Sequence, residues 1–338
     1  MKQGIALAGN LTVDHIKTVE SYPLEGNLTS ILSLEKFIGG APVNVGIGLS
    51  KMDNRIPITV TGVVGSDGDG EFIIERLREN GIDINKIKRD STAVTSFTDV
   101  ITAQSTGNRT FFHYRGANEL LGVEHFNFSE LAKARILHMG YALLLDSLDE
   151  SDPEYGTVMA RVLAMAQGHG IKTSLDVISE KSDRYSKIIP YSLKHCNYFI
   201  VNEFESSQTT GIPHRDNEGR LIVRNMRAMC ERLLTMGVND LVVIHAPEGG
   251  FAMDVYGNYY EQPSLKLPKG YIKGAVGAGD AFCAGVLYGL YMDWDIQRAL
   301  RLAVSAAACC LSQVNATDGM VEVSAAEKLY ENMGKQDL

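Results

Sequence analysis

Strand-like runs at 136–139, 173–177, 198–201 and 241–244 alternate with helical stretches at about 154–169, 184–195 and 221–236. This alternation constrains the fold more than any other feature of the chain. Short runs of aliphatic and β-branched residues with no polar face read as strands covered on both sides. Parallel strands need crossovers, which the intervening helices supply, so the expected architecture is an α/β fold of three layers with a mainly parallel central sheet. With 338 residues, 45% of them hydrophobic, the chain can bury the core such a sheet requires.

The amino-terminal third departs from this rhythm. A buried strand at 5–8 ends in Gly9-Asn10, a turn signal at what would be the carboxyl edge of the sheet, where ligands gather in α/β folds. Asp14 follows directly. From 12 to 38 the pattern is short β-like pieces without helical period, and 95–101 and 109–114 read as a hairpin around Ser105-Thr106-Gly107-Asn108. Together, about 12–38 and 92–118 form a small β-lid on a single domain spanning 1–338. Between them, Gly39-Gly40-Ala41-Pro42-Val43-Asn44 opens a helix, with Pro42 in the first turn where its missing N–H costs nothing. Asn44 is expected to project toward the same edge as Asp14.

The stretch with the most chemistry is Gly274-Ala275-Val276-Gly277-Ala278-Gly279-Asp280-Ala281-Phe282, a small-residue loop leading into an apolar helix expected to begin near Ala281. The first N–H groups of a helix lack intrahelical partners and carry the positive end of its dipole. Gly277, Ala278 and Gly279 leave those groups open to an anion such as a γ-phosphate. Asp280 is unsuited to holding a phosphate, but it can accept the proton of an attacking alcohol. The plainer reading is a helix start with an Asp cap.

Composition excludes other classes. A net charge of −9 lacks the basic footprint of a nucleic-acid binder. No run approaches the roughly 18 apolar residues of a membrane span, and no leader pattern precedes the first strand. The five cysteines have no Cys-x-x-Cys spacing and read as reduced core residues of a cytoplasmic protein. His138, His169, His195 and His214 show no metal-ligand spacing and read as structural or surface residues. A dinucleotide-binding fold is disfavoured because Gly9-Asn10 stands where Gly-x-Gly-x-x-Gly would open a helix.

These motifs, in this order, resemble the ribokinase, or PfkB, family of carbohydrate kinases. Gly39 to Asn44 is similar to its amino-terminal signature and Ala275 to Gly285 to its carboxyl-terminal one. Pro23-x-x-Gly26, Gly107-Asn108-Arg109, Gly116-Ala117-Asn118 and Asn202-Glu203-Phe204-Glu205 fall between them in the family's sequence. The resemblance implies a ribokinase-like fold and transfer of the ATP γ-phosphate to a hydroxymethyl group of a sugar or related small molecule, with Mg²⁺ as cofactor. It implies Asp280 as the base, Gly277, Ala278 and Gly279 as the anion hole, and Asp14, Gly39, Gly40 and Asn44 as substrate ligands. It further implies that Asn202 and Glu205 organise Mg²⁺, through water, and the phosphates, with Gly250 and Ser305 on the nucleotide side. Read without the resemblance, Asn202 is a helix cap.

Three departures stand out. Gly274-Ala275-Val276 lacks the Asp that many members carry before Gly-Ala-Gly-Asp, which leaves K⁺ a doubtful cofactor. His245-Ala246-Pro247-Glu248-Gly249-Gly250 replaces the common Leu-Gly-x-x-Gly loop. Val177-Ile178-Ser179-Glu180 replaces the Asp-x-Asn-x-Arg continuation of fructokinase- and ketodeoxygluconate-kinase-like members. The alternatives are a nucleoside kinase of the same family and a non-catalytic sugar sensor on the same fold. A homodimer joined through the lid is left open.

Overall fold

The computed structural model describes residues 2–338. Its fifteen strands are β1 Ile5–Gly9, β2 Thr12–Val19, β3 Ile31–Gly39, β4 Ile58–Gly65, β5 Asp83–Asp90, β6 Ser96–Ala103, β7 Arg109–Tyr114 and β8 Ile136–Ala142, then β9 Ser151–Asp152, β10 Gly156–Thr157, β11 Lys172–Val177, β12 Tyr198–Asn202, β13 Leu241–Ala246, β14 Gly249–Asp254 and β15 Tyr259–Pro263. Nine form one sheet in the order β15-β14-β13-β12-β11-β8-β1-β4-β5. From β13 to β5 every neighbour is parallel, and β14 and β15 close one edge antiparallel.

Side-chain alternation shows why this sheet is sandwiched. Ile5 and Leu7 of β1 join the core that holds the helices Ala41–Met52, Ala278–Tyr291 and Ile296–Leu311. Ala6 and Ala8 join the opposite core, with the helices Val158–Gly168, Tyr185–Leu193 and Val223–Met236. In β13, Leu241 and Val243 face the first core and Val242 and Ile244 the second. A strand apolar on both faces can only sit between two layers.

Two expected boundaries move. The stretch at 154–157 is not helical: Gly156–Thr157 pairs with Ser151–Asp152 in a two-rung ladder, and the helix begins at Val158, where the Thr157 hydroxyl accepts from the Ala160 N–H. His245 to Gly250 is a tight hairpin between β13 and β14, with His245 and Gly250 opposite each other in register.

The remaining four-stranded sheet, β3-β2-β6-β7, is built from the two segments expected to form the lid. Both faces of it carry exposed apolar side chains, since Phe111 and Phe112 are neighbours on β7. Leu34 is 67% exposed, and Phe111 and Phe112 are each 59% exposed. Among the described residues no helix is long and apolar enough to cross a membrane, and all five cysteines are free and buried.

Candidate active site

Chain order reverses across the β8–β1 boundary, the kind of switch point where α/β sheets bind ligands beyond their carboxyl ends. Gly40 begins one wall. Its φ of 93° is left-handed, and a Cβ there would lie 2.0 Å from Asn10 O, so only glycine lets the chain turn from β3 into the helix at Ala41. One turn into that helix, Asn44 Nδ2 donates to Asp280 Oδ2 at 2.8 Å. The Asn44 Oδ1 is buried without a partner, an acceptor that a substrate hydroxyl would satisfy.

The second wall is the Ala278 helix. Gly277 caps it with φ 79°, where a Cβ would overlap that of Ala316 at 2.2 Å. The helix therefore begins at Ala278, three residues before the start expected from sequence, and Asp280 lies in its first turn rather than at the cap. Gly277, Gly279 and Asp280 line a cavity of about 170 Å³. Of the expected anion hole, Ala278 departs: it is not a lining residue, and its N–H is turned to Ala275 O at 3.4 Å.

Asp280 is buried, and desolvation, with the charge of Asp176 added, pushes its pKa up to about 6 despite hydrogen bonds from Asn44 and Tyr141. Tyr141 donates its hydroxyl to both Asp280 oxygens, at 2.9 and 3.0 Å. It reaches them from the end of β8 through a backbone turn with φ 59°. Its own N–H donates to Asp176 Oδ1 at 2.5 Å.

Across the cavity, Asn202 and Glu205 form a reciprocal helix cap. Asn202 Oδ1 accepts from the Glu205 N–H at 2.8 Å, and the Asn202 N–H donates to Glu205 Oε2 at 2.9 Å. The cap does not exclude a ligand role, since both residues also line the cavity. Ser179 donates to Glu205 Oε1 at 2.7 Å and accepts from Asn202 Nδ2 at 2.8 Å. Burial pushes the Glu205 carboxyl up to about 8. Asp176, Glu205 and Asp280 thus share a cavity with no Lys or Arg among its described lining residues. Such a donor set suits a hard cation with oxygen ligands and bound water.

Asp14 lies in β2, where its Oδ2 would be 3.0 Å from a Cβ on Gly39. Burial raises its pKa to about 6, against a hydrogen bond from Thr98. Asp14, Gly39 and Gly40 thus lie together where the four-stranded sheet joins the Asn44 helix.

Two residues expected on the nucleotide side lie outside this cavity. Ser305 is fully buried and donates its hydroxyl to Arg301 O of its own helix at 2.8 Å, so it does not reach the cavity. Gly250 lies within β14 and is not among the residues lining this cavity; a Cβ there would press on Phe282 at 2.8 Å. Sequence reasoning missed Tyr141, Asp176, Ser179, His245 and Cys283 as cavity-lining residues. Polar residues at the carboxyl ends of strands were the available signal for Tyr141 and Asp176. Nothing in the local sequence places His245, whose ring is 5.0 Å from that of Phe282 and faces Gly279.

Comparison with known proteins agrees with this architecture. Arabidopsis thaliana ribokinase complexed with ribose and ATP superposes with a TM-score of 0.81 at 20% identity, covering 98% of this chain and 99% of that one. Thermotoga maritima ribokinase gives 0.78 at 19% identity, covering 98% and 100%. Residues 2–323 match the pfkB family carbohydrate kinase model, and the chain belongs to that family. Its curated relatives include the 5-dehydro-2-deoxygluconokinases of Geobacillus kaustophilus, 26% identical over 96% of this chain and 92% of the relative, and Geobacillus thermodenitrificans, 25% identical with the same coverage. The protein is a carbohydrate kinase.

Proposed function

We propose that this kinase transfers the γ-phosphate of ATP to a hydroxymethyl group of a sugar or sugar acid, with Asp280 as general base. The observation that carries this reading is the Asn44–Asp280 pair at the open end of the Ala278 helix. Asn44 orients the carboxylate, and its free Oδ1 faces the same buried region. The incoming hydroxyl gives its proton to Asp280 as its oxygen attacks the phosphorus. The N–H groups at Gly277 and Gly279 offset the charge growing on the transferred phosphoryl oxygens. Asp14, Gly39 and Gly40 position the acceptor beneath the lid, which excludes water so that ATP is not hydrolysed.

Asn202 and Glu205 would hold Mg²⁺ through water, and the ion when bound neutralises phosphate charge. With Gly274 in place of the family's Asp, the reading includes no K⁺ requirement. One kinase unit, with the four-stranded sheet as its lid, carries the whole reaction. The exposed lid residues Leu34 and Phe112 support pairing of two lids in a homodimer.

The acceptor named for the curated relatives, 5-dehydro-2-deoxygluconate, is the first to test, beside ribose, fructose and adenosine. An ADP-release assay over this panel should give a sugar or sugar acid as the best acceptor. Preference for adenosine would make the protein a nucleoside kinase. Tight sugar binding with no ADP release would make it a sensor.

A further inference from the structure

At the cavity floor, three side chains from three separate elements bring donor atoms together. His138 comes from β8, Asp176 from the adjacent β11, and Cys283 from the Ala278 helix, one turn beyond Asp280. One ligand atom from each lies within 4.8 Å of the others. His138 Nε2 is 3.7 Å from Asp176 Oδ2 and 3.7 Å from Cys283 Sγ. The nitrogen–oxygen spacing is too long for a hydrogen bond. Both lie near the spacings that tetrahedral ligands adopt around Zn²⁺ at its usual bond lengths, about 3.4 Å for N to O and about 3.6 Å for N to S.

The groups behind the donors are arranged as a metal site requires. His138 Nδ1 is 3.0 Å from Ser174 Oγ, its register neighbour on β11. An Nδ1–H donated to that hydroxyl leaves the Nε2 lone pair aimed at Asp176 and Cys283. The Asp176 Oδ1 is taken by the Tyr141 N–H, which leaves Oδ2 for the cluster. Asp176 and Cys283 both line the cavity, so a fourth ligand position opens toward it and toward Asp280.

We propose that His138, Asp176 and Cys283 form a site for a divalent ion that favours thiolate and imidazole, such as Zn²⁺, and that its occupancy arrests turnover by placing fixed positive charge beside Asp280. Binding breaks the Cys283 S–H bond as the sulfur–metal bond forms, and the proton leaves to water. Imidazole and thiolate disfavour Mg²⁺, so the site selects against the ion that serves the reaction. A bound divalent charge favours the ionised form of Asp280 and lowers its basicity, which weakens the proton acceptor of the transfer step. The inhibitory half rests on Asp280 being the base; the binding half does not.

The test begins with metal-free enzyme titrated with Co²⁺ and followed by absorption. One equivalent should produce thiolate-to-cobalt charge-transfer absorption with tetrahedral ligand-field bands, and Cys283→Ala should abolish the charge-transfer feature. His138→Gln should weaken binding at least tenfold, with Cys283→Ser as the companion variant if the histidine variant does not fold. Absence of the charge-transfer feature, or its persistence in Cys283→Ala, overturns the site. Turnover with MgATP at a fixed micromolar free Zn²⁺ should fall at least tenfold in the unaltered enzyme, while the ratio with and without Zn²⁺ stays within twofold in Cys283→Ala. Equal inhibition of both, or of neither, overturns the regulatory role. A protein that binds Co²⁺ through Cys283 but phosphorylates no acceptor keeps the site and loses the kinase reading of Asp280.

Discussion

Asn44 Nδ2 donates to Asp280 Oδ2 at 2.8 Å across 236 residues of sequence. Asn44 is placed by the glycine turn into the Ala41 helix, and Asp280 by the glycine cap of the Ala278 helix. The bond joins the two signatures into one buried unit.

Asp280→Asn removes the proton acceptor while keeping a side chain that the Tyr141 hydroxyl can still reach. Turnover should fall on the order of 10²–10⁴-fold, the usual contribution of a positioned general base. The urea-unfolding midpoint should not decrease, since a buried carboxylate is replaced by a neutral amide. Turnover within threefold of the unaltered enzyme would remove Asp280 from the mechanism.

Tyr141→Phe deletes the hydroxyl that bridges both Asp280 oxygens. A hydrogen bond to a charged group is worth about 1.5–3 kcal/mol. Where that bond is stronger in the transition state than in the bound ground state, its removal should lower kcat roughly tenfold or more. Steady-state kinetics on the best acceptor provides the check. A change in KM alone would show that Tyr141 contacts substrate instead of orienting the base.

Gly277→Ala and Gly279→Ala should separate cleanly. At 277 the backbone is left-handed and the new Cβ would meet Ala316 Cβ at 2.2 Å; at 279 the nearest atom is His245 Cε1 at 3.1 Å in ordinary helical backbone. Strain of the first kind costs about 1–3 kcal/mol before any clash is counted. Urea unfolding should show Gly277→Ala as the less stable by at least that range, and equal stabilities would contradict the capped geometry.

Burial keeps the His245 imidazole neutral by pushing its pKa from the ordinary 6.5 down to about 4. The unfolded chain takes up a proton as pH falls through about 6.5, whereas the folded chain does so only near 4. This group therefore withdraws stability over that window, by at most about 1.4 kcal/mol per pH unit. Asp14 and Asp149, raised to about 6 by burial, act oppositely: their folded forms hold protons longer, so they favour folding at low pH and lose that contribution as pH rises toward 6. The prediction is accordingly a difference. The loss of urea midpoint between about pH 7.5 and about pH 5 should be smaller in His245→Gln than in the unaltered protein. An identical loss would show that His245 does not titrate in the unfolding transition.

The lid carries the last prediction. Leu34 and Phe112 lie on strands of the four-stranded sheet and are each more than half exposed. Charging both, as Leu34→Lys with Phe112→Lys, should convert a two-chain species to a one-chain species in light scattering. A one-chain unaltered protein would rule out the lid-paired homodimer.

Much of the fold was readable because it depends on local pattern. The runs at 136–139 and 241–244 are apolar on both faces, and such strands need two covering layers wherever they sit. The glycines at 40 and 277 were readable as turns and helix starts for the same local reason. The early start of the Ala278 helix was not, because Ala316, brought up from a different loop, closes the space around Gly277.

By itself the sequence determined the layered α/β plan and the two segments of the small sheet from local pattern, and the family from the order of its motifs, which in turn offered Asn44, Asn202, Glu205 and Asp280 as candidates for the site. Only the tertiary structure decided that Tyr141 grips Asp280, that Ser305 is sealed inside its own helix, and that His138, Asp176 and Cys283 converge. Parallel strands that are neighbours in the sheet are tens of residues apart in the chain, and the helix that brings Asp280 lies farther still. Spacing along the sequence therefore carries no record of which side chains meet at the carboxyl edge.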